Sequence, residues 1–170
     1  MTGLNQKTLH GILAAITSVN KDFIVPKQGN WWNPQEVKTG AKPNNWLAYS
    51  AKHEQRTLPF YHTADDKRSN AATVEMLSTI ELQFVGPDSE DLAQSVALWY
   101  LRTDVKQQLA ACGGSMLPDA VNPTPSTFYQ DGLNTVTAWN VQIRVLWFKL
   151  IETEQPIIMT INTGGQINVR

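Results

Sequence analysis

His53, Glu54, His62, Asp65 and Asp66 form the densest gathering of groups in this chain that could bind a metal ion or move protons. Metal coordination needs ligands that a helical or strand period aims at one point. These five fall in a loop-rich stretch without such a period and read as solvated polar residues. Cys112, before Gly113 and Gly114, could act as a nucleophile only with a histidine base beside it, and no sequence feature supplies one. A lone cysteine at a helix end reads as a small core or boundary residue. The pairs Gly113-Gly114 and Gly164-Gly165 lack the spacing and the following Lys-Ser/Thr of a phosphate-cradling loop, so they read as turns. Trp31-Trp32 are adjacent indoles in a polar loop. They can stack on a sugar, a base or another protein, or pin the loop to its own sheet. Lys27, Lys38 and Lys42 are too dispersed to mark a DNA site. No catalytic residue, cofactor or metal is expected.

Composition narrows the classes further. A chain of 170 residues is long enough to bury its own core and is expected to form one domain. It carries 14 Lys and Arg against 15 Asp and Glu, a net charge of −1, and 17% charged residues, below the usual quarter or so. Such a balance provides no broad field for nucleic acid or an anionic membrane. Neutral polarity takes its place, with 12 Asn, 12 Gln and 16 Thr. A neighbour can cover that surface without desolvating many ions. No apolar stretch approaches the roughly 20 residues of a membrane span, and Asn5, Gln6, Lys7 and His10 interrupt any signal peptide, so a soluble intracellular product is expected. The single Cys112 excludes an internal disulfide framework.

The elements that would position these groups follow from periodicity. Leu9, Ile12, Leu13, Ile16 and Val19 form one helical stripe, with Asn5 as its N-cap and Asn20 as its stop. Phe23 to Val25 is a short extended run ending at Pro26, and residues 27–45 form a long loop. Strands are expected at 46–51 and 58–63, where Pro59 signals an edge or bulge, and at 72–86. In the last of these, Val74, Met76, Ser78, Ile80, Leu82 and Phe84 alternate with Thr73, Glu75, Leu77, Thr79, Glu81 and Gln83. Asp88 or Ser89 caps a helix to about Arg102, and Thr103 caps a second one ending before Gly113. Residues 116–128, with three prolines, read as extended or looped. Residues 135–151 alternate for about 55 Å at about 3.3 Å per residue, with Trp139, Val141, Ile143, Val145 and Trp147 on one side. Asn140, Gln142, Arg144, Leu146 and Phe148 occupy the other. A final β segment is expected at 157–162 and 167–169. The fold class is α+β, an antiparallel or mixed sheet with helices packed on one face and a long projecting hairpin. On the helix after Pro87, Leu92, Val96, Trp99 and Tyr100 face the sheet. Leu98 and Leu101 point away and need a cover, either the first helix or a second subunit.

The run from Ile80 to Ala93 (IELQFVGPDSEDLA), with Tyr100 to Leu109 (YLRTDVKQQL) and the late strand TVTAWNVQIRVLWFKL, resembles the neck or tail terminator proteins of tailed bacteriophages. The similarity is loose over most of the chain and best over residues 74–151. The loop at 27–45, with its Trp pair, departs from the family. The resemblance implies a structural virion subunit, assembled in the host cytoplasm, whose copies close into a ring, usually six-fold, at the head-proximal end of the tail tube. There it would stop tube polymerisation and join the tail to the head-side connector. The implied partners are other copies of itself, the tail tube protein, the connector and a tail sheath, with DNA only passing through the lumen and no membrane. The expected contact residues are Trp31, Trp32, Leu98, Leu101, Asn140, Gln142, Arg144, Leu146 and Phe148. Alternatives are another head-tail joining or tail tube protein, a small hydrolase using His53 or His62, and a carbohydrate-binding module led by Trp31 and Trp32.

Overall fold

A computed structural model describes residues 4–27, 45–57, 60–63, 70–130, 134–153, 158–161 and 167–169. The first helix, α1 (Gln6–Ile16), starts where Asn5 Oδ1 accepts the Thr8 N–H at 2.8 Å. It buries the expected stripe of Leu9, Ile12, Leu13 and Ile16. It stops four residues short of Asn20, because the Thr17 hydroxyl donates to Leu13 O at 2.7 Å and the chain turns extended there. Asn20 instead caps a short 3₁₀ turn, Lys21–Phe23, by accepting from Asp22 N. Asn5→Ala is expected to cost about 1 kcal/mol. Calorimetry should then show a melting temperature about 2–4 °C lower.

The strands among the described residues are, in chain order, β1 (Ile24–Pro26), β2 (Trp46–Gln55), β3 (Phe60–Thr63), β4 (Asn70–Val85), β5 (Gly114–Met116), β6 (Thr124–Gln130), β7 (Asn134–Thr153), β8 (Ile158–Ile161) and β9 (Ile167–Val169). The first seven build one mixed sheet around the antiparallel pair β4 and β7, which stay in register from Asn70↔Thr153 to Val85↔Ala138. β2 and β3 lie along the other side of β4. Their register slips by two residues between Gln55↔Met76 and Phe60↔Thr73. β5 and β6 flank β7, and β1 joins the far edge of β2 as a parallel strand. β8 and β9 pair with each other in a separate two-stranded sheet.

Residues 116–128 are extended and looped, as expected, with Met116 ending β5 and β6 beginning at Thr124, whereas the expectations for the hairpin, the helix after Pro87 and the Thr103 cap need correction. Pro125 is tolerated there because β6 pairs only with β7 among the described residues. The 20-residue β7 is a hairpin arm only over its pairing with β6. Its long partner is β4, distant in sequence. The helix expected from 88 to 102 is broken into α2 (Ser89–Ser95), a 3₁₀ turn (Val96–Leu98) and a further turn to Leu101, and the second expected helix follows as α3 (Thr103–Ala111). A 3₁₀ residue advances about 120° rather than about 100°, so the stripe slips in phase. Val96 and Trp99 stay buried, but Tyr100 swings out to 37% exposure. Thr103 is the first residue of α3 rather than its cap. Arg102 occupies the cap position, bonding Asp104 and donating to Ile16 O at 3.0 Å, which ties α3 to the end of α1.

Asp88 is the N-cap of α2 but makes no capping bond, because its carboxylate accepts from Asn45 Nδ2 at 2.8 Å. Gly113 ends α3 with φ 74°, a left-handed conformation that glycine adopts without strain. Among the described residues α1, α2 and α3 pack on one face of the sheet. There α1, Val96, Trp99, Val105 and Leu109 close over Leu47, Tyr49, Ile80, Leu82, Phe84, Val141, Ile143 and Val145. A smaller cluster of Trp46, Val85 and Ala138, joined by Phe23 and Val25, sits at one end of the other face. Beyond the residues of the main core cluster the β4–β7 ribbon runs on for six pairs, 70–75 with 148–153, an arm about 20 Å long in which Val74 is still buried.

Candidate functional site

Strand alternation sorts the β7 residues. Val141, Ile143, Val145 and Trp147 belong to the core under the helices, so Asn140, Gln142, Arg144, Leu146 and Phe148 stand in file on the bare face. Across the register, Gln83, Glu81, Thr79, Leu77 and Glu75 of β4 oppose them in that order, and β2 adds Ser50, Lys52 and Glu54. The face has two halves. Around Gln142 and Arg144 it is polar, and Arg144 donates through Nε and a terminal nitrogen to Asp119 at 2.5 and 2.7 Å. That fork holds the Asp119 carboxyl below the usual carboxylate range. It also engages the guanidinium inside the chain. Toward the arm the β7 file turns apolar, with Leu146 half-buried beside Leu77 and Phe148 and Leu150 each 46% exposed, while Glu75 and Glu54 stay on the neighbouring strands. Leu150 extends the same alternation by one step, and the sequence reading stopped at Phe148.

A second apolar surface lies in the helix layer. Leu98 is 59% and Leu101 57% exposed, beside Tyr100. The first helix is not their cover, since α1 packs against α3 and β1. The expected contact residues therefore divide between two surfaces on opposite sides of the sheet, and the fold does not bring Leu98 and Leu101 together with the β7 file. Trp31 and Trp32 lie outside the described residues.

One polar cluster was overlooked although its signal was visible. Ser78 interrupts the apolar side of β4, and it is fully buried. Trp147 Nε1 donates to its oxygen at 2.7 Å, and the oxygen lies 2.6 Å from His53 Nδ1, the residue paired with Ser78 across the strands. The Ser78 oxygen accepts the indole N–H, and the direction of its bond with His53 Nδ1 follows the imidazole tautomer. A hydroxyl at hydrogen-bond distance from imidazole is the geometry of an activated serine. Here the oxygen is closed off from any substrate, and the arrangement joins β2, β4 and β7 at the base of the arm.

Burial lowers the His53 pKa. The unfolded chain, with its histidine near 6.5, then binds more protons than the folded one between the two values. Stability is present in full above that unfolded value and is lost as pH falls through it toward the folded pKa. Thermal melts should therefore fall between pH 7.5 and 5.5, by less in His53→Gln than in the parent. An unchanged pH slope in the variant would remove His53 as the cause.

Among the described residues no group of three or more His, Cys, Asp or Glu could hold a metal ion. His53 and Glu54 are consecutive in β2, so they point to opposite faces. Asp65 and Asp66 lie outside the described residues, as does the side chain of His62. Cys112 is buried, with its thiol directed at Leu109 O, and burial pushes its pKa up, away from thiolate chemistry. No described helix is long and apolar enough to cross a membrane. No protein-family model matches the chain, and no curated protein was found similar to it.

Proposed function

We propose that this chain is a structural subunit of a tailed-bacteriophage neck, a tail terminator whose copies close into a ring on the tail tube and join it to the head-side connector. The observation that carries this reading is the pair of exposed apolar surfaces on opposite sides of one sheet, Leu98 with Leu101 in the helix layer and Phe148 with Leu150, beside the half-buried Leu146, on the bare face. Two different patches on one protomer fit a heterologous contact, in which each copy offers one patch to the next, and such contacts close into a ring when the rotation between copies divides a full turn. The sequence likeness over residues 74–151 supplies the setting, a virion assembled in the host cytoplasm. Six copies is the ring size that this likeness favours.

The bare face around Gln142 and Arg144 is close to charge balance and its arginine is engaged, which suits a surface that DNA passes without being held. Stopping a tube requires a ring that a further tube ring does not recognise, so this protein should not stack indefinitely. Electron microscopy of particles assembled without it tests the reading. Overlong, unjoined tails beside filled heads are expected. Normal joined tails would overturn it, and long tubes formed by the purified chain alone would assign it to the tube instead.

A further inference from the structure

We propose that the outer edge of β2 from Ala51 to Gln55, with the groove beside it, takes an extended acidic segment of a partner protein as an added strand. This surface is distinct from the two apolar patches, and the inference stands apart from the ring reading. The Lys27 N–H donates to Tyr49 O at 2.7 Å, which shows that Tyr49 turns its carbonyl away from β4. Alternation along the strand then turns the N–H and C=O of Ala51, His53 and Gln55 the same way, while Ser50, Lys52 and Glu54 bond β4. β1 occupies this edge only opposite Leu47 to Tyr49 and ends at Pro26. Among the described residues nothing pairs with the remaining six backbone groups, and residues 51–55 are exposed. A row of outward backbone donors and acceptors is complementary to another extended backbone.

The chemistry of the segment is set by the groove. About 390 Å³ of open space runs between this edge and the start of α1, in line with β1. Leu4, Leu9 and Tyr49 lie buried under its floor, and Pro26 and Ala51 supply the accessible apolar atoms of its rim. Lys27 stands at one end and no carboxylate lines it. Asn5 and Gln6 bring the N-terminal end of α1 to its wall, and the first turn of that helix carries no acidic residue to neutralise it. A strand with alternating apolar and carboxylate side chains meets all three features.

The test uses the full chain and a fluorescein-labelled octapeptide of alternating glutamate and valine, followed by fluorescence anisotropy. A saturable rise is expected, at least tenfold weaker for the matching lysine–valine peptide. The Ala51→Pro variant removes an outward N–H at an exposed edge, where proline is tolerated, and should bind at least tenfold more weakly with its thermal melt unchanged. A peptide N-methylated at alternate residues should lose binding to the unaltered protein, a control independent of how the variant folds. No saturable binding, equal binding of the lysine peptide, or binding that survives both Ala51→Pro and N-methylation would overturn the proposal. Self-association of the chain abolished by Ala51→Pro would also overturn it, by assigning the edge to a second copy.

Discussion

Leu98→Arg combined with Leu101→Arg leaves a folded monomer under conditions where the unaltered protein associates. Both side chains are more than half exposed, so the fold does not depend on them. Surface changes of this kind shift stability by about 0.5 kcal/mol or less. The effect on association is much larger. Fully burying a leucine contributes about 1.5–3 kcal/mol, and with a little over half of each side chain still to be covered the two together contribute about 2–3.5 kcal/mol. At about 1.4 kcal/mol per decade, affinity should fall roughly thirtyfold to three-hundredfold, before the cost of covering two unpaired guanidinium groups. Light scattering and a thermal melt on the same sample separate the outcomes. A monomer with an unchanged melt is expected, and association equal to that of the parent would remove Leu98 and Leu101 from the contact.

Trp99→Ala is expected to give the largest stability loss of any single substitution considered. Trp99 is the anchor between the exposed leucines, 1% exposed and packed into the main core. Truncating a buried tryptophan costs about 3–5 kcal/mol. That is a large fraction of the stability of an ordinary domain. The indole nitrogen has no hydrogen-bond partner among the described residues, so Trp99→Phe should cost distinctly less than truncation: it removes an unsatisfied buried donor while keeping most of the ring. Chemical denaturation measures both. Because the turn at 99–101 hangs on this ring, the alanine variant should also lose association, in contrast to the leucine pair, which loses association alone.

Much of the fold was legible because it rests on short-range pattern. The stripe from Leu9 to Ile16, the Asn5 cap, the alternation of β4 and that of β7 each follow from a period that backbone geometry imposes. So did the assignment of Asn140 to Phe148 to a single face. Long-range pairing was not legible: nothing local says that β7 lies along β4 over sixteen positions rather than folding back on its sequence neighbour. The 3₁₀ turn at Val96–Leu98 was also hidden, and with it the exposure of Tyr100, because a phase slip of a few tens of degrees leaves the helical pattern nearly intact. Leu98 and Leu101 were marked as unpartnered by their angle alone, but whether α1 or another molecule covered them depended on where α1 docks. Ser78 was visible as a lone hydroxyl in an apolar row. Its bonds to His53 and Trp147 required the register that places three strands side by side.

Mixing two disabled variants tests most directly whether copies join through two different patches. One variant carries Leu98→Arg and Leu101→Arg and keeps its bare-face patch; the other carries Phe148→Arg and Leu150→Arg and keeps its helix-layer patch. Each alone should be monomeric by native mass spectrometry. Mixed in equal amounts, they retain one intact contact per pair, so a one-to-one heterodimer and no ring should appear. A mixture that stays monomeric, or a variant that still forms homodimers by itself, would contradict a head-to-tail assembly built on these two surfaces.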